Sequence, residues 1–384
     1  MRIAYVLPFL RNPGGWRRHA RALLQAIQPQ VQPVLFVATG DYPTAKSLFP
    51  DREIFPLPVT QMASLGNPRG ALKLAASYAA IRRKKLPPVD LVHSLEAYPS
   101  GLVGLWLARK LRCPLVLTAH GTYGVIWHER RLDRAAYQRV LASARLVTPV
   151  STGTAELMRR YFGDSLAQTR LHPILNGNHY YRRVPRSQAW ERQFPETPTL
   201  LSVGDIKARK GQLISLAAFA RLKEHFPQAR YKMVGRYKSD AYFQSLQRLV
   251  RKRQLSGVEF LGAVPEETLR QCYQQASLFI LTPQQIGLRF EGFGLVYLEA
   301  GAYGLPVVAT RSGGVADAIK DGQTGLLVDD PQDVGGIRQA LERLLSDPAL
   351  ARRMGRSNRQ WAETLTWERC AQEHLQVYRE ILDI

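Results

Sequence analysis

Short runs of β-branched and aliphatic residues recur along the chain. Each is followed by a small-residue turn and then by a stretch whose apolar positions fall three and four apart. In the first half the runs that predict strands are Arg2–Leu7, Val34–Ala38, Asp90–His93, Pro114–Ala119 and Leu146–Val150. Helical patterns lie between them at Trp16–Ile27, Gly101–Leu111 and Thr152–Tyr161. The second half repeats the rhythm with Thr199–Val203, Tyr231–Val234, Val258–Leu261, Leu278–Leu281, Pro306–Thr310 and Gly325–Val328. Three helical segments then follow without a strand: Pro331–Ser346, Pro348–Leu365 and Trp367–Leu382. Strands apolar on both faces and alternating with helices predict parallel sheets covered on both sides. The expected fold class is therefore α/β, with two Rossmann-like, doubly wound domains joined by right-handed crossovers. The polar, proline-containing stretch Arg182–Pro198 marks the change of domain, giving 1–185, 186–365 and a last helix 366–384. Ligands favour the cleft between two such domains.

Composition narrows the class. The 384 residues are 45% apolar and 22% charged, enough to build sizeable cores and unlike a disordered chain. No apolar run approaches the ~18–20 residues that cross a bilayer. Met1–Leu10, interrupted by Pro8, reads as a buried strand and not as a secretion signal. Cys113, Cys272 and Cys370 lie far apart, which argues against a disulfide scaffold or a cysteine zinc site and fits a reducing cytoplasm. Charge is the more telling quantity. The chain carries +22, and residues 1–190, with 27 basic and 9 acidic residues, hold +18 of it. One half is thus expected to meet something anionic: a membrane surface, a phosphorylated acceptor or nucleic acid.

Candidate chemistry sits in the turns after strands, where parallel sheets bind ligands. Asn12-Pro13-Gly14-Gly15-Trp16 follows the first strand, and its glycines let backbone amides approach a phosphate or sugar at a helix start. His120 leaves the strand Pro114–Ala119 and precedes Gly121, at the edge of the expected cleft. Ser202-Val203-Gly204-Asp205 leads to Arg209-Lys210-Gly211, two cations that suit a diphosphate, without the spacing of a Walker loop. Glu291-Gly292-Phe293-Gly294-Leu295 opens a helix that carries Glu299 about one turn in. Amides at a helix start favour an anion, and glutamates on either side accept hydroxyl hydrogens; together they point to a sugar nucleotide.

The segment Glu291–Glu299 resembles the E-x7-E signature of retaining GT-B glycosyltransferases, specifically glycosyltransferase family 4. Other segments agree in order: Pro13-Gly14-Gly15, Thr118-Ala119-His120-Gly121, Ile174-Leu175-Asn176-Gly177, Val203-Gly204 with Arg209-Lys210-Gly211, Val258–Gly262 and the terminal helix. The resemblance implies that Glu299 binds the donor ribose and that Glu291 contacts the transferred sugar. Gly292, Phe293, Gly294 and Leu295 lend their backbone, and Lys210 with Arg209 stabilises the leaving diphosphate. His120 touches the donor sugar near the reacting carbon, and Gly14 and Gly15 pack against the diphosphate. It also implies that no cofactor or metal is needed, the diphosphate taking the acceptor's proton on the same face. Asp205 departs from the pattern, since many relatives place arginine after that glycine and a carboxylate there repels a diphosphate.

In the fold this resembles, the first domain holds the acceptor, and it is the basic half. Ala71–Lys85 is amphipathic and ends in Arg82-Arg83-Lys84-Lys85, which suits an anionic lipid surface; an ordinary helix packing its apolar stripe on the sheet fits the same pattern. Arg130, Arg131, Arg134 and Arg139 follow the histidine turn and are placed to face the acceptor. The expected partner is a lipid-linked or phosphorylated sugar at the inner membrane face, as in glycolipid, lipopolysaccharide or surface-polysaccharide assembly. Three other readings stand beside it: a nucleotide-sugar epimerase of the same fold, a basic nucleic-acid-binding module, and a non-catalytic partner subunit that Asp205 keeps open. Nucleic acid is disfavoured because no recognisable binding motif or aromatic stacking platform accompanies the charge.

Overall fold

The computed structural model describes every residue except 8–9, 11–14, 29, 60–62 and 191–196. The chain forms two compact units, Met1–Gly177 with Trp367–Ile384, and Asn178–Thr366. It therefore passes between them twice.

The first unit is built on seven strands: β1 (Arg2–Val6), β2 (Gln32–Ala38), β3 (Glu53–Leu57), β4 (Leu91–Ser94), β5 (Leu115–Ala119), β6 (Leu146–Pro149) and β7 (Arg170–Leu171). They lie in the order β3-β2-β1-β4-β5-β6-β7, and every pairing is parallel. The order reverses between β1 and β4, which makes the ends of those strands a topological switch point. β4, β5 and β6 are buried throughout, as strands covered on both faces must be. β3 and β7 were not expected from the sequence. Both are edge strands, where Pro56 costs no ladder bond and burial need not be complete.

Helix starts are fixed by short polar side chains. Asn67 accepts from the amides of Arg69 and Gly70 at the head of Pro68–Arg83, and Ser151 accepts from Thr154 at the head of Thr152–Phe162. The helix Trp367–Leu382 supplies Trp367, Cys370, Ala371, Leu375 and Tyr378 to the same core as Ile3, Tyr5, Leu23 and Leu35 of the opening strands and helix.

The second unit holds β8 (Thr199–Val203), β9 (Arg230–Val234), β10 (Val258–Gly262), β11 (Leu278–Leu281), β12 (Val307–Thr310) and β13 (Gly325–Val328), in the order β10-β9-β8-β11-β12-β13. All are parallel, and the order reverses between β8 and β11. Its core joins Leu200, Tyr231 and Ile280 of the sheet to Leu216, Phe219 and Leu341 of the covering helices. Among the described residues no helix is long and apolar enough to cross a membrane.

Candidate active site

In the second unit the candidate residues stand at the switch point. After β8 the chain turns through Ala208–Lys210 to Gly211, which begins the helix Gln212–Leu222. Gly211 has φ +73, and a Cβ on it would lie 1.7 Å from the carbonyl oxygen of Thr282, just past β11. Only glycine fits there. The Thr282 hydroxyl donates to the Gly211 carbonyl at 2.9 Å, so the turns after β8 and β11 are held together.

That closure brings three charges to one point. Lys210 Nζ is 2.6 Å from Glu291 Oε2, and Arg209 Nη1 is 3.1 Å from the same oxygen. Arg209 also donates to the Phe290 carbonyl at 3.3 Å. The Glu291 backbone is pinned in turn: its carbonyl accepts from the Gly314 amide at 2.9 Å, while Gly313, at φ +58, passes so close that a Cβ would sit 2.4 Å from that oxygen. Burial pushes the Glu291 carboxyl up, but the two cations outweigh it and hold the group below its ordinary range. Phe293 is buried, and Gly294 starts the helix Leu295–Ala302, whose first turn has no side-chain cap. Amides of 294–296 at such a start form one positive wall beside Glu291, while the Tyr297 amide is taken by the Gly294 carbonyl at 3.0 Å.

Glu299 lies one turn inside that helix and is nearly buried. Its Oε2 accepts from the Tyr273 hydroxyl at 2.9 Å, and the Tyr273 ring is stacked on Tyr303 at 5.0 Å. Burial and then the Glu299 charge drive the Tyr273 phenol well above its usual range, so it stays a donor. The two glutamates therefore have different surroundings: Glu291 is bound by cations, Glu299 by a neutral phenol.

Asp205 does not face Lys210. Its Oδ1 is 3.1 Å from Arg236 Nε, and its Oδ2 is 3.3 Å from both Arg236 Nη2 and Lys207 Nζ. Burial raises this carboxyl, yet Arg236 and Lys207 prevail and hold it low. The cations that neutralise Asp205 come from β9's end and its own turn. Nothing in the local sequence signalled Arg236 or Tyr273, because each is supplied by a distant element.

The remaining candidates belong to the first unit. Gly14 lies outside the described residues. Gly15 begins the helix Gly15–Ile27, and among the described residues a Cβ there would meet nothing within 4 Å. His120 follows β5; its Nε2 donates to the Leu95 carbonyl at 2.9 Å, and its ring meets the edge of His19 at 4.7 Å. Burial, and then His19, keep His120 uncharged far below the usual imidazole range.

Arg130 and Arg131 line a cavity of about 340 Å³ with Ser64, Asn67, Leu132 and Asp133. Asp133 is spent internally, accepting from the Ser64 hydroxyl, from the Leu65 amide at 2.8 Å and from the Tyr98 hydroxyl at 2.8 Å. Arg130 stacks over Trp127, and neither arginine makes an ion pair among the described residues.

Arg82 and Arg83 are far from that cavity. They end the helix Pro68–Arg83, whose other end is Asn67, and 16 residues span about 24 Å. The run Arg82–Lys85 is not one uniform patch. Lys84 has left the helix, donates to the Pro56 carbonyl at 3.3 Å and lies over the Phe55 ring. The apolar stripe is likewise divided, with Leu74 and Ile81 buried and Leu72 71% exposed.

Comparison with known proteins gives the family. Residues 13–178 match the model of Glycosyltransferase Family 4, and residues 186–361 match that of Glycosyl transferases group 1. A GDP-mannose-dependent alpha-(1-6)-phosphatidylinositol monomannoside mannosyltransferase of Mycolicibacterium smegmatis is 32% identical over 300 residues, 76% of this chain and 77% of that protein. A D-inositol 3-phosphate glycosyltransferase of Pseudarthrobacter chlorophenolicus is 31% identical over 318 residues, 79% of this chain and 73% of the other. Sucrose-phosphate synthase from Thermosynechococcus elongatus matches the fold with a TM-score of 0.76 at 24% identity, covering 100% of this chain and 99% of that one. With both halves matched in order and a relative this similar over three-quarters of each chain, the protein belongs to the group 1 glycosyltransferases of family 4, enzymes of the GT-B fold.

Proposed function

We propose that this glycosyltransferase moves a hexosyl group from a nucleoside diphosphate sugar to a phosphorylated or lipid-linked acceptor, with retention of configuration and no metal ion. The observation that carries the reading is the convergence of Arg209 and Lys210 on one oxygen of Glu291 beside a helix start. Two cations and a row of amides suit two adjacent phosphates. In the donor complex Lys210 and Arg209 take charge from the diphosphate as the bond from the anomeric carbon to its oxygen breaks, the term that dominates such catalysis. Glu299, oriented by Tyr273, accepts from the ribose hydroxyls, and Glu291 from the transferred sugar. His120 meets the sugar near the reacting carbon. The acceptor hydroxyl bonds to that carbon from the face the diphosphate leaves, and its proton passes to the departing phosphate oxygen.

The acceptor half of the reading rests on charge. Arg130 and Arg131 line a cavity whose one carboxylate is already satisfied, which suits a phosphate. Exposed Leu72 and Tyr78 on the same helix as Arg69, Arg82 and Arg83 suit a lipid surface, at the cytoplasmic side. The two relatives named above carry phosphatidylinositol and inositol phosphate in their names.

A thermal-shift screen of nucleoside diphosphates and their sugars without metal tests the donor site. A ligand at a hundred times its Kd stabilises by about 2.7 kcal/mol. A shift confined to one base and lost in Lys210→Ala and Glu299→Ala supports the reading. No shift with any of them overturns it, as does conversion of the free donor to an isomer without an acceptor.

A further inference from the structure

The second unit buries a charge to which the proposed chemistry gives no part. Arg359 lies on the helix Pro348–Thr364 and is 3% exposed. Its Nε donates to Glu363 Oε1 at 2.8 Å, one turn further along the same helix. That pair alone gives no reason for burial. Four residues apart on a helix, it forms equally well in solvent, without the cost of taking a guanidinium out of water. What the buried position adds is the reach of the other two nitrogens to backbone carbonyls on two separate elements.

Nη1 donates to the carbonyl of Ala302, the last residue of the helix Leu295–Ala302. The final carbonyls of a helix lack partners within it and form its negative end, so a guanidinium suits that place. Asn358, beside Arg359, donates to the Leu305 carbonyl at 2.8 Å and holds the chain just past the same end. Nη2 donates to the Tyr181 carbonyl at 2.7 Å. Tyr181 stands in the turn Tyr180–Arg183, three residues after the second unit begins at Asn178, and that turn packs on the helix Leu295–Ala302. Arg183 of the same turn pairs at the surface with Glu266, which heads the helix Glu266–Gln275. The turn therefore bears on two helices. One carries Glu299 and the other Tyr273, whose hydroxyl meets that carboxylate at 2.9 Å. Glu299 comes three residues before Ala302, about 4.5 Å along the axis, so a helix end that shifts takes the carboxylate with it.

We propose that Arg359 is a positioning residue for Glu299: it fastens the end of the helix Leu295–Ala302 to the turn Tyr180–Arg183, and so sets where the Glu299 carboxylate stands beside Tyr273. The place of that carboxylate is thereby tied to the stretch by which the chain enters the second unit. The inference rests on the part given to Glu299 in the proposed reaction, and its test separates the two.

The experiment is titration calorimetry of the full chain with UDP and GDP and with their 2′,3′-dideoxy forms, which lack the ribose hydroxyls. The enzyme is expected to bind one of the two nucleotides about 10- to 100-fold more tightly than its dideoxy form, as a hydrogen bond to a charged group gives. Glu299→Gln loses most of that preference and gives the scale. Arg359→Met reduces it to about fivefold or less, as a displaced contact does, while the dideoxy form binds as before because Arg209 and Lys210 are untouched. Arg359→Lys keeps the charge, reaches one carbonyl and falls between. If Arg359→Met shows no melting transition, Arg359→Lys decides by the same ratio. A preference left whole in a folded Arg359 variant overturns the inference, and so does a loss of affinity equal for both forms, whatever the change in Tm. A wild-type enzyme that binds both forms alike overturns instead the part given to Glu299, and this inference with it. Failure of both UDP and GDP to bind overturns the donor site itself.

Discussion

Lys210 Nζ rests 2.6 Å from Glu291 Oε2 in a place where each side chain is only about a tenth exposed. Removing Lys210 leaves the nearly buried Glu291 carboxylate with Arg209 as its one remaining cation among the described residues, 3.1 Å from the same oxygen. Lys210→Met is therefore expected to cost about 1.5–3 kcal/mol of stability, and Lys210→Met with Glu291→Gln to recover most of it. Activity should not follow. Both variants stay about 100- to 1,000-fold down in kcat, because the cation that meets the leaving diphosphate is gone in each. Melting temperature and turnover, measured together, check the divergence.

Asp205 is neutralised by Arg236 and Lys207. Arg236→Ala removes the stronger partner and leaves a carboxylate to repel a bound diphosphate. The expected loss is about 1 kcal/mol, roughly fivefold in Kd for UDP or GDP. Asp205→Asn added to Arg236→Ala should restore it, while Asp205→Asn alone changes Kd little. Titration calorimetry decides. A fivefold loss that persists in the double variant would mean that Arg236 itself contacts the ligand.

Among the described residues nothing stands within 4 Å of where a Cβ on Gly15 would lie. Gly15→Ala should leave the melting temperature unchanged or slightly raised, since alanine suits a helix better by about 0.5–1 kcal/mol. If the glycine serves the donor, its KM rises and kcat falls in the same variant. An alanine enzyme with unaltered kinetics would remove Gly15 from the site.

Acid should undo the first unit before the second. Burial lowers His19 to about 4 and His374 to about 3, and it holds His93 and His120 well below the ordinary value. Each is neutral when folded and protonates near pH 6.5 when unfolded. The stability they contribute is thus whole above pH 6.5 and is lost as pH falls toward 3, at about 1 kcal/mol per pH unit for each histidine. Glu96, raised by burial to about 7, opposes them: its contribution is whole below about 4.5 and is lost as pH rises through 7. Four groups outweigh one, so the melting temperature should drop steeply between pH 6.5 and 4. His374→Phe should make the slope shallower, which calorimetry across that range can read.

Much of the fold was legible in the chain because the central strands are apolar on both faces. Thr199–Val203 and Leu278–Leu281, which lie side by side in the middle of their sheet, have the bounds the pattern predicts. β3 and β7 escaped notice for the converse reason: an edge strand needs neither unbroken burial nor freedom from proline. The clustered cations Arg209 and Lys210 could be read because their partner, Glu291, belongs to a recognisable pattern. Tyr273 and Arg236 could not, because each acts on a residue far away in sequence and leaves no local signature. The Arg82–Lys85 run misled in one respect. Charge along a sequence does not tell which side chains remain in solvent, and Lys84 was drawn back onto Phe55 and Pro56.

The two passages of the chain between its units bear on the order in which the protein is made. Asn178–Thr366 is continuous, and its ends are joined at once: the Asn178 amide and side chain both donate to the Leu365 carbonyl, at 2.9 and 2.8 Å. Such a segment has all its partners when residue 366 leaves the ribosome. The first unit does not, because its core waits for Trp367, Cys370, Leu375 and Tyr378. Chains truncated after Thr366 and released should therefore carry a protease-resistant second half behind a first half that is still cut, the reverse of the usual N-terminal-first order.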